Sequence, residues 1–184
     1  MAHQAGSEAQ DHLLSTPAHQ ALAERAARIG ELAVRGDLTV ATAESCTGGL
    51  IGHSITANPG SSRYFRGGIV CYADDVKSAL VGVPPMTIEH HGAVSAQVAV
   101  AMAEGVRERV VCDYAVAVTG VAGPDGGTAS KPVGLTYVAV AGPESHQVRR
   151  HVWDGDRVTN KERSAAAALD LLLETLSAAD AGGA

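Results

Sequence analysis

Side chains that could take part in catalysis are most closely spaced between Ala41 and Gly49, where polar residues and two glycines follow an apolar run. In order, this stretch offers a carboxylate, a hydroxyl, a thiol and a second hydroxyl, from Glu44, Ser45, Cys46 and Thr47. A strand that passes through a short turn into a helix presents side chains and free backbone N–H groups at the carboxyl end of a sheet. The stretch therefore favours a nucleophile, an anion site or both, with the alternative that Ser45 or Thr47 merely caps the following helix.

A second glycine loop spans residues 119–127 and follows the valine-rich run 113–119, which predicts a central strand. If this strand is parallel to the one before the first turn, both loops lie along the sheet edge where open α/β sheets bind ligands. Two such loops, each with a hydroxyl, indicate an anionic or phosphorylated ligand. Neither loop fits the Walker pattern, because no Gly-Lys-Ser/Thr follows, and the first lacks the spaced glycines of the dinucleotide fingerprint.

The choice of nucleophile falls between the neighbours Ser45 and Cys46. A reactive thiol usually needs a histidine partner, and none of the eight histidines has a sequence neighbourhood that singles it out. His90–His91 is a weak candidate for a metal pair, because adjacent histidines on a loop usually point apart. A serine needs an adjacent base, for which Lys77 is a candidate, together with Tyr72 before it. The pattern alone favours an exposed helix lysine, so the residues lead no further than an α/β enzyme, with hydrolysis as one option, and a phosphate-like ligand.

The composition predicts one globular domain and disfavours several classes of protein. With 184 residues, 46% of them apolar and only 3% aromatic, the chain can bury one core built from small aliphatic side chains. The net charge of −6 disfavours nucleic acid as a partner, since that needs a basic surface. No apolar run approaches the roughly 20 residues that span a bilayer. Three cysteines without a CxxC pair, and an N-terminus without a signal pattern, predict a cytoplasmic protein with free thiols.

Alternating helix and strand patterns predict a three-layer α/β/α domain with a mixed, mostly parallel sheet over residues 17–177. Residues 1–16 are predicted to be a mobile tail and residues 178–184 a frayed one. The predicted helices share apolar spacings of three to four residues and cover 17–36, 50–57, 73–81, 95–109 and 157–176. The predicted strands, of which the last two form a hairpin, cover 38–43, 67–72, 113–119, 133–141 and 146–152.

Six short stretches, taken in order, carry a likeness to a known family. They are the turn 43–49, the stretch Tyr72–Lys77, and the segments 91–95, 119–127, 131–134 and 155–157. Together they resemble the C-terminal domain of the competence/damage-inducible CinA proteins, which also exists alone as the nicotinamide-nucleotide amidase PncC. The likeness covers about residues 20–176, and the order of several separate motifs makes it specific.

The resemblance implies a reaction and assigns catalytic residues. The family removes the carboxamide nitrogen of nicotinamide mononucleotide (NMN), giving nicotinic acid mononucleotide and ammonia in pyridine-nucleotide salvage. Its serine–lysine dyad falls on Ser45 and Lys77, so Ser45 is expected to attack the amide carbon while neutral Lys77 takes its proton. Lys77, or Tyr72 beside it, would protonate the leaving ammonia, and Thr119 matches a position near the reacting group.

The resemblance also implies how the substrate is held. Backbone N–H groups of the first turn are expected to stabilise the oxyanion, and the phosphate to lie against a glycine loop and a basic residue, of which Arg157 is the first choice. The expected substrate-binding set is Glu44, Cys46, Thr47, Gly48, Gly49, Gly120, Gly123 and Arg157. No metal and no organic cofactor is implied, no nucleic acid or membrane partner is expected, and members of the family tend to form homo-oligomers.

Three stretches depart from the family pattern. Tyr72-Ala73-Asp74 stands where Tyr-Ser-Asn is common, Ser130 replaces an acidic residue, and Asn160–Lys161 replaces an apolar residue followed by arginine. A carboxylate near the site and a lysine in place of an arginine put substrate affinity in question. Two alternatives therefore stay open, a nucleotide-binding module without turnover and an amidase for another small amide such as nicotinamide.

Overall fold

The computed structural model describes residues 16–182, so all but one residue of the predicted N-terminal tail lies outside the described part. Within it, helices and strands alternate as the sequence predicts. The helices are α1 Pro17–Arg35, α2 Leu50–Thr56, α3 Asp74–Val81, α4 Pro85–His91, α5 Ala96–Val110 and α6 Arg157–Gly182. The strands are β1 Val40–Glu44, β2 Phe65–Val70, β3 Tyr114–Gly120, β4 Leu135–Ala141 and β5 His146–Val152, and a 3-10 turn covers Ser61–Arg63. No helix in this part of the chain is both long enough and apolar enough to cross a membrane.

The five strands form one mixed sheet in the order β2-β1-β3-β4-β5. Strand β1 runs parallel to both β2 and β3, whereas β4 is antiparallel to β3 and β5 is antiparallel to β4. Four strands therefore point the same way, which confirms the predicted α/β fold with its mixed sheet and terminal hairpin. Because β1 and β3 are parallel neighbours, with Glu44 opposite Val118, the two glycine loops begin side by side at one edge of the sheet.

The two faces of the sheet carry side chains of different size, and this sets how the helices pack. On one face, valines of β1, β3 and β4 pack against leucines and isoleucines of α1, α2 and α6. On the other face, alanines of the same strands pack against α5 and the end of α3. Small side chains let α5 lie close to the sheet, and a Cβ at Gly105 of α5 would overlap the Val81 carbonyl of α3. This close packing fixes α3, the helix that carries Lys77.

Some element boundaries differ from the sequence-based predictions. Helix α4 is absent from them, because Pro84-Pro85 was interpreted only as the end of α3; proline also fits the first position of a helix, and Pro85 begins this one. Helix α6 continues to Gly182, six residues past the predicted end at 176, so residues 178–182 are helical rather than frayed. His90 and His91 lie at the end of α4 instead of on a loop.

Candidate active site

The turn after β1 is held against β3 and opened by two glycines. The Ser45 N–H donates to the Val118 carbonyl at 3.0 Å, and the Gly48 N–H closes the turn onto the Ser45 carbonyl at 3.1 Å. Gly48 and Gly49 have φ of 64° and 100°, a region that side chains other than glycine rarely adopt. The Ser45 side chain, 7% exposed, therefore lies at a sharp bend where strand β1 meets α2.

The Glu44 carboxylate organises the turn from inside. It is 1% exposed and accepts four hydrogen bonds: from the Thr47 hydroxyl at 2.7 Å and from the N–H groups of Gly49, Ile51 and Gly52 at 3.0, 3.1 and 2.8 Å. These donors include the first amides of α2, so Glu44 caps this helix. The predicted contact of Glu44 with a substrate has no support in this geometry, because its oxygens are already occupied.

The capping by Glu44 excludes one of the two interpretations of the turn, that Ser45 or Thr47 caps the following helix. Neither Ser45 nor Thr47 caps α2, because the Ser45 hydroxyl makes no hydrogen bond within residues 16–182 and the Thr47 hydroxyl donates to Glu44. Among the turn's amides, those of Cys46 and Thr47 have no acceptor in the described part of the chain. Within residues 16–182 the turn therefore leaves the Ser45 hydroxyl and the backbone amides of Cys46 and Thr47 available to a ligand.

Lys77 is buried, contrary to the pattern-based expectation of an exposed helix lysine. Its side chain is 2% exposed, and its Nζ donates to the Tyr72 carbonyl at 3.1 Å and pairs with Asp74 Oδ1 at 3.1 Å. The neighbouring Cys71 N–H donates to the Glu44 carbonyl at 2.9 Å, which holds the end of β2 beside the end of β1. The structure thus brings the Lys77 segment alongside the turn, although no hydrogen bond joins Lys77 Nζ to Ser45 Oγ.

The second glycine loop closes the other side of the site. Thr119, 1% exposed, donates its hydroxyl hydrogen to the Ala93 carbonyl at 2.9 Å, so its lone pairs alone remain for a ligand. A Cβ at Gly120 would lie 3.1 Å from Cys46 Sγ and 2.7 Å from the Leu135 carbonyl oxygen, so glycine lets the two loops approach closely. The first and second loops are therefore in contact, as expected for one shared site.

Arg157 links two other predicted site residues, Gly123 and Tyr72. Its Nη1 donates to the Gly123 carbonyl at 2.7 Å, and its Nη2 donates to the Tyr72 hydroxyl at 2.8 Å. The guanidinium thus fixes the second glycine loop to the segment that leads to Lys77. Tyr72 is 56% exposed, so its ring and hydroxyl border the open side of the site.

Two residues of α6 belong to the site but were not among the predicted site residues. Asn160, 1% exposed, donates to the Ala122 carbonyl at 3.1 Å and accepts from the Gly155 N–H at 3.0 Å, which ties the second loop to the helix. Lys161 lies four residues after Arg157, a spacing that places both on one helix face. That spacing is the signal in the sequence that could have identified Lys161.

Lys161 borders a cleft beside the first glycine turn. A Cβ at Gly48 would lie 3.8 Å from Lys161 Nζ, and the cleft, about 320 Å³ in volume, is also lined by Gly49 and His53. Lys161 Nζ forms neither a hydrogen bond nor an ion pair with any residue between 16 and 182. It is a half-buried cation whose charge is available to an anionic ligand.

The Cys46 thiol is unsuited to nucleophilic attack. Burial raises its pKa to about 12, and the Glu44 carboxylate also raises it, while its own backbone N–H and the charges of Lys161 and Lys77 act in the opposite direction. Because the thiolate is the nucleophilic form of cysteine, Cys46 stays protonated and unreactive at neutral pH. In the same part of the chain, residues 16–182, no three side chains of His, Cys, Asp or Glu are grouped to hold a metal ion.

Comparisons with known proteins agree with this fold. The family model for the CinA C-terminal domain matches residues 22–176. A CinA-like protein of Gloeobacter violaceus is 57% identical over 112 residues, 61% of this chain and 26% of the relative. One from Salinibacter ruber is 48% identical over 149 residues, 81% of this chain and 36% of the relative. The chain thus spans about a quarter to a third of the length of these relatives.

Solved structures match over nearly their whole length. The competence/damage inducible protein CihA from Agrobacterium tumefaciens is 40% identical with a TM-score of 0.79, covering 85% of this chain and 96% of its own. A competence or damage-inducible protein from Enterobacter asburiae has a TM-score of 0.81 at 29% identity, covering 84% and 98%. The glycine turn, the buried lysine and the second loop therefore lie within the matched region, and the chain belongs to the CinA C-terminal domain family.

Proposed function

We propose that this protein hydrolyses the carboxamide of NMN to nicotinic acid mononucleotide and ammonia, with Ser45 and Lys77 as catalytic residues. The observation that carries the proposal is a buried lysine held beside a turn that offers a free serine hydroxyl and two free amides. A buried amine is the kind of base that serine nucleophiles use where no histidine is available. Family membership supports the same reaction class.

In the proposed first step, Ser45 Oγ attacks the carboxamide carbon and its proton passes to neutral Lys77 Nζ. The carbonyl oxygen becomes an oxyanion, which the N–H groups of Cys46 and Thr47 stabilise. The carbon–nitrogen bond then breaks, and Lys77 returns the proton to the departing nitrogen. Ammonia is released, and the acyl group remains bound to Ser45 Oγ as an ester. Water attacks this ester while Lys77 takes its proton, the bond between the acyl carbon and Ser45 Oγ breaks, and Lys77 returns the proton to Ser45 Oγ as the carboxylic acid product is released. The Lys77 amine moves from its present partners toward Ser45 in this scheme, since catalytic hydrogen bonds often tighten only with substrate bound.

The other predicted catalytic residues have supporting roles in this scheme. Tyr72, held by Arg157 at 2.8 Å, is available as a second proton donor to the leaving ammonia. Thr119 has committed its hydrogen to Ala93, so it acts as an acceptor that orients the amide N–H groups of the substrate.

The phosphate of NMN is best matched by Lys161, with Arg157 in a different role. Arg157, the first choice from the sequence, already donates to Gly123 and Tyr72 and so fixes the loops around the substrate. Lys161 has no partner in residues 16–182 and faces the cleft beside Gly48. An unpaired cation at this position favours a substrate with a phosphate over one without.

The proposal is tested by measuring ammonia and nicotinic acid mononucleotide after incubation with NMN in the presence of a metal chelator. We expect equal amounts of both products, with much slower reaction of nicotinamide and its riboside. Calorimetric binding of NMN without product over hours would instead support the nucleotide-binding module. Equal rates for nicotinamide and NMN would support an amidase for small amides.

The role of Lys161 gives a second expected result. Lys161→Ala should lower kcat/KM for NMN by about tenfold, because a charged hydrogen bond to phosphate is lost, and should leave the riboside reaction unchanged. The matched control is Arg163→Ala, which removes a cation on the same helix that pairs with Asp154 outside the cleft. Equal losses for NMN and its riboside would show that Lys161 does not bind the phosphate.

The proposed function places the protein in the cytoplasm, where NMN salvage would take place. The three cysteines are all free thiols in the structure, which suits the reducing cytoplasm proposed as the site of action. Association of several copies of this chain stays a prediction, which light scattering tests directly.

A further inference from the structure

The ion pair between Asp74 and Lys77 joins an exposed carboxylate to a buried amine. The Asp74 side chain is 57% exposed and that of Lys77 is 2% exposed, and their charged atoms lie 3.1 Å apart. Given the proposed function, on which this rests, we infer that Asp74 is a positioning residue that restrains Lys77 as a paired ammonium and thereby limits the rate of amide hydrolysis.

Lys77 has a small set of polar neighbours. Its Nζ donates to the Tyr72 carbonyl and to Asp74, and no other carboxylate in residues 16–182 lies within ion-pair distance. The titratable groups on the neighbouring segments are the Cys46 and Cys71 thiols, which feel the Lys77 charge, the buried Glu44 carboxylate, the Asp75 carboxylate, and the Tyr72 hydroxyl, which accepts from Arg157. Burial raises the pKa of both thiols, which keeps them neutral. The elements packed on this face, including α5, contribute alanines, valines and a methionine.

The pair opposes the step that Lys77 has to perform. To accept the Ser45 proton, the amine must be neutral and must turn toward Ser45, and both changes require it to leave Asp74. The ion pair holds the amine at Asp74, but solvent around Asp74 screens the attraction and keeps the effect moderate.

Asp75 provides a matched control for Asp74. Both aspartates lie in the first turn of α3, where a negative charge interacts favourably with the helix dipole and stabilises the helix. Asp74 alone pairs with Lys77, so replacing either residue with asparagine removes one charge from the same turn, but Asp74→Asn alone removes the ion pair.

The experiment records the lysine side-chain NMR signals at one fixed pH and measures ammonia release from NMN. Lys77, Lys131 and Lys161 are the three lysines of the chain, so their Nζ and Cε signals can be assigned with Lys131→Arg and Lys161→Arg. In Asp74→Asn, the Lys77 signal should move from its position in the unchanged protein because the ion pair is lost, whereas Asp75→Asn should move it much less. The rate of ammonia release at neutral pH should rise in Asp74→Asn by about three- to tenfold, with KM for NMN unchanged.

The two measurements separate this inference from the proposed function. A Lys77 signal that is the same in Asp74→Asn and Asp75→Asn overturns the inference, whatever the activity. A displaced Lys77 signal in Asp74→Asn with no ammonia release from any variant supports the restraint on Lys77 and refutes the proposed function. A displaced signal with a slower Asp74→Asn enzyme also overturns the inference, because Asp74 then assists the reaction.

Discussion

Replacing Ser45 with alanine is expected to lower ammonia release from NMN by about a thousandfold or more, whereas replacing Cys46 with alanine should preserve most of the activity. The Ser45 hydroxyl lies at the bend after β1 with no hydrogen-bond partner in the described residues, so it is free to attack a carbonyl. Loss of the nucleophile leaves only the binding and oxyanion contributions. The measurement is kcat for NMN in both variants.

The expected difference between the two variants follows from the ionisation of Cys46. Because burial raises the pKa of the Cys46 thiol to about 12, almost none of the nucleophilic thiolate is present at pH 7. The Cys46 N–H, which alanine retains, is the part of this residue that the mechanism uses. A Cys46→Ala enzyme that loses activity while Ser45→Ala keeps it would reverse the assignment of the nucleophile. Mass spectrometry of the protein during turnover adds a direct check, because the acyl group should be found on the peptide that contains Ser45.

Most of the fold could be predicted from local sequence patterns. The strand β5 is found at the predicted residues 146–152, paired with β4 as a hairpin, and Gly36 and Ser95 mark helix boundaries as their chemistry predicts. The proximity of the two glycine loops followed from one assumption, that β1 and β3 are parallel, and the strand pairing confirms it.

The burial of Lys77 shows where pattern-based reasoning fell short. Lys77 and Val81 are the two buried residues of α3, and their four-residue separation puts both on one helix face. A lysine at an apolar position was interpreted as solvent-exposed, because lysines seldom lie inside proteins without a partner. The partners here, the Tyr72 carbonyl and Asp74, are supplied by the chain's path at the end of β2, which residue spacing does not reveal.

The role of Glu44 was also beyond the sequence patterns. A carboxylate before a glycine turn suggests a ligand contact, but which groups the carboxylate binds depends on how the turn folds back. With Gly48 and Gly49 in the left-handed region, the first amides of α2 point at the residue that ends β1. Because the turn folds back in this way, Glu44 caps α2 inside the protein instead of making the substrate contact predicted from the sequence.

Glu44→Ala is therefore expected to lower the free energy of unfolding by roughly 3–5 kcal/mol, because several buried donors lose their only acceptor at once. The donors are the Thr47 hydroxyl and the amides of Gly49, Ile51 and Gly52. Urea denaturation followed by circular dichroism measures the change. Activity should fall as well, since the Cys46 and Thr47 amides lose their fixed orientation.

Thr47→Val is the graded control for this prediction, because it removes one of the four donors and leaves the carboxylate with the three amides. Its expected loss is about 1 kcal/mol, the usual contribution of a single hydrogen bond. If Glu44 contacted substrate instead, Glu44→Ala would raise KM for NMN and leave the denaturation midpoint unchanged. That outcome would restore the role predicted from the sequence, and the four hydrogen bonds would then contribute little to the stability of the turn.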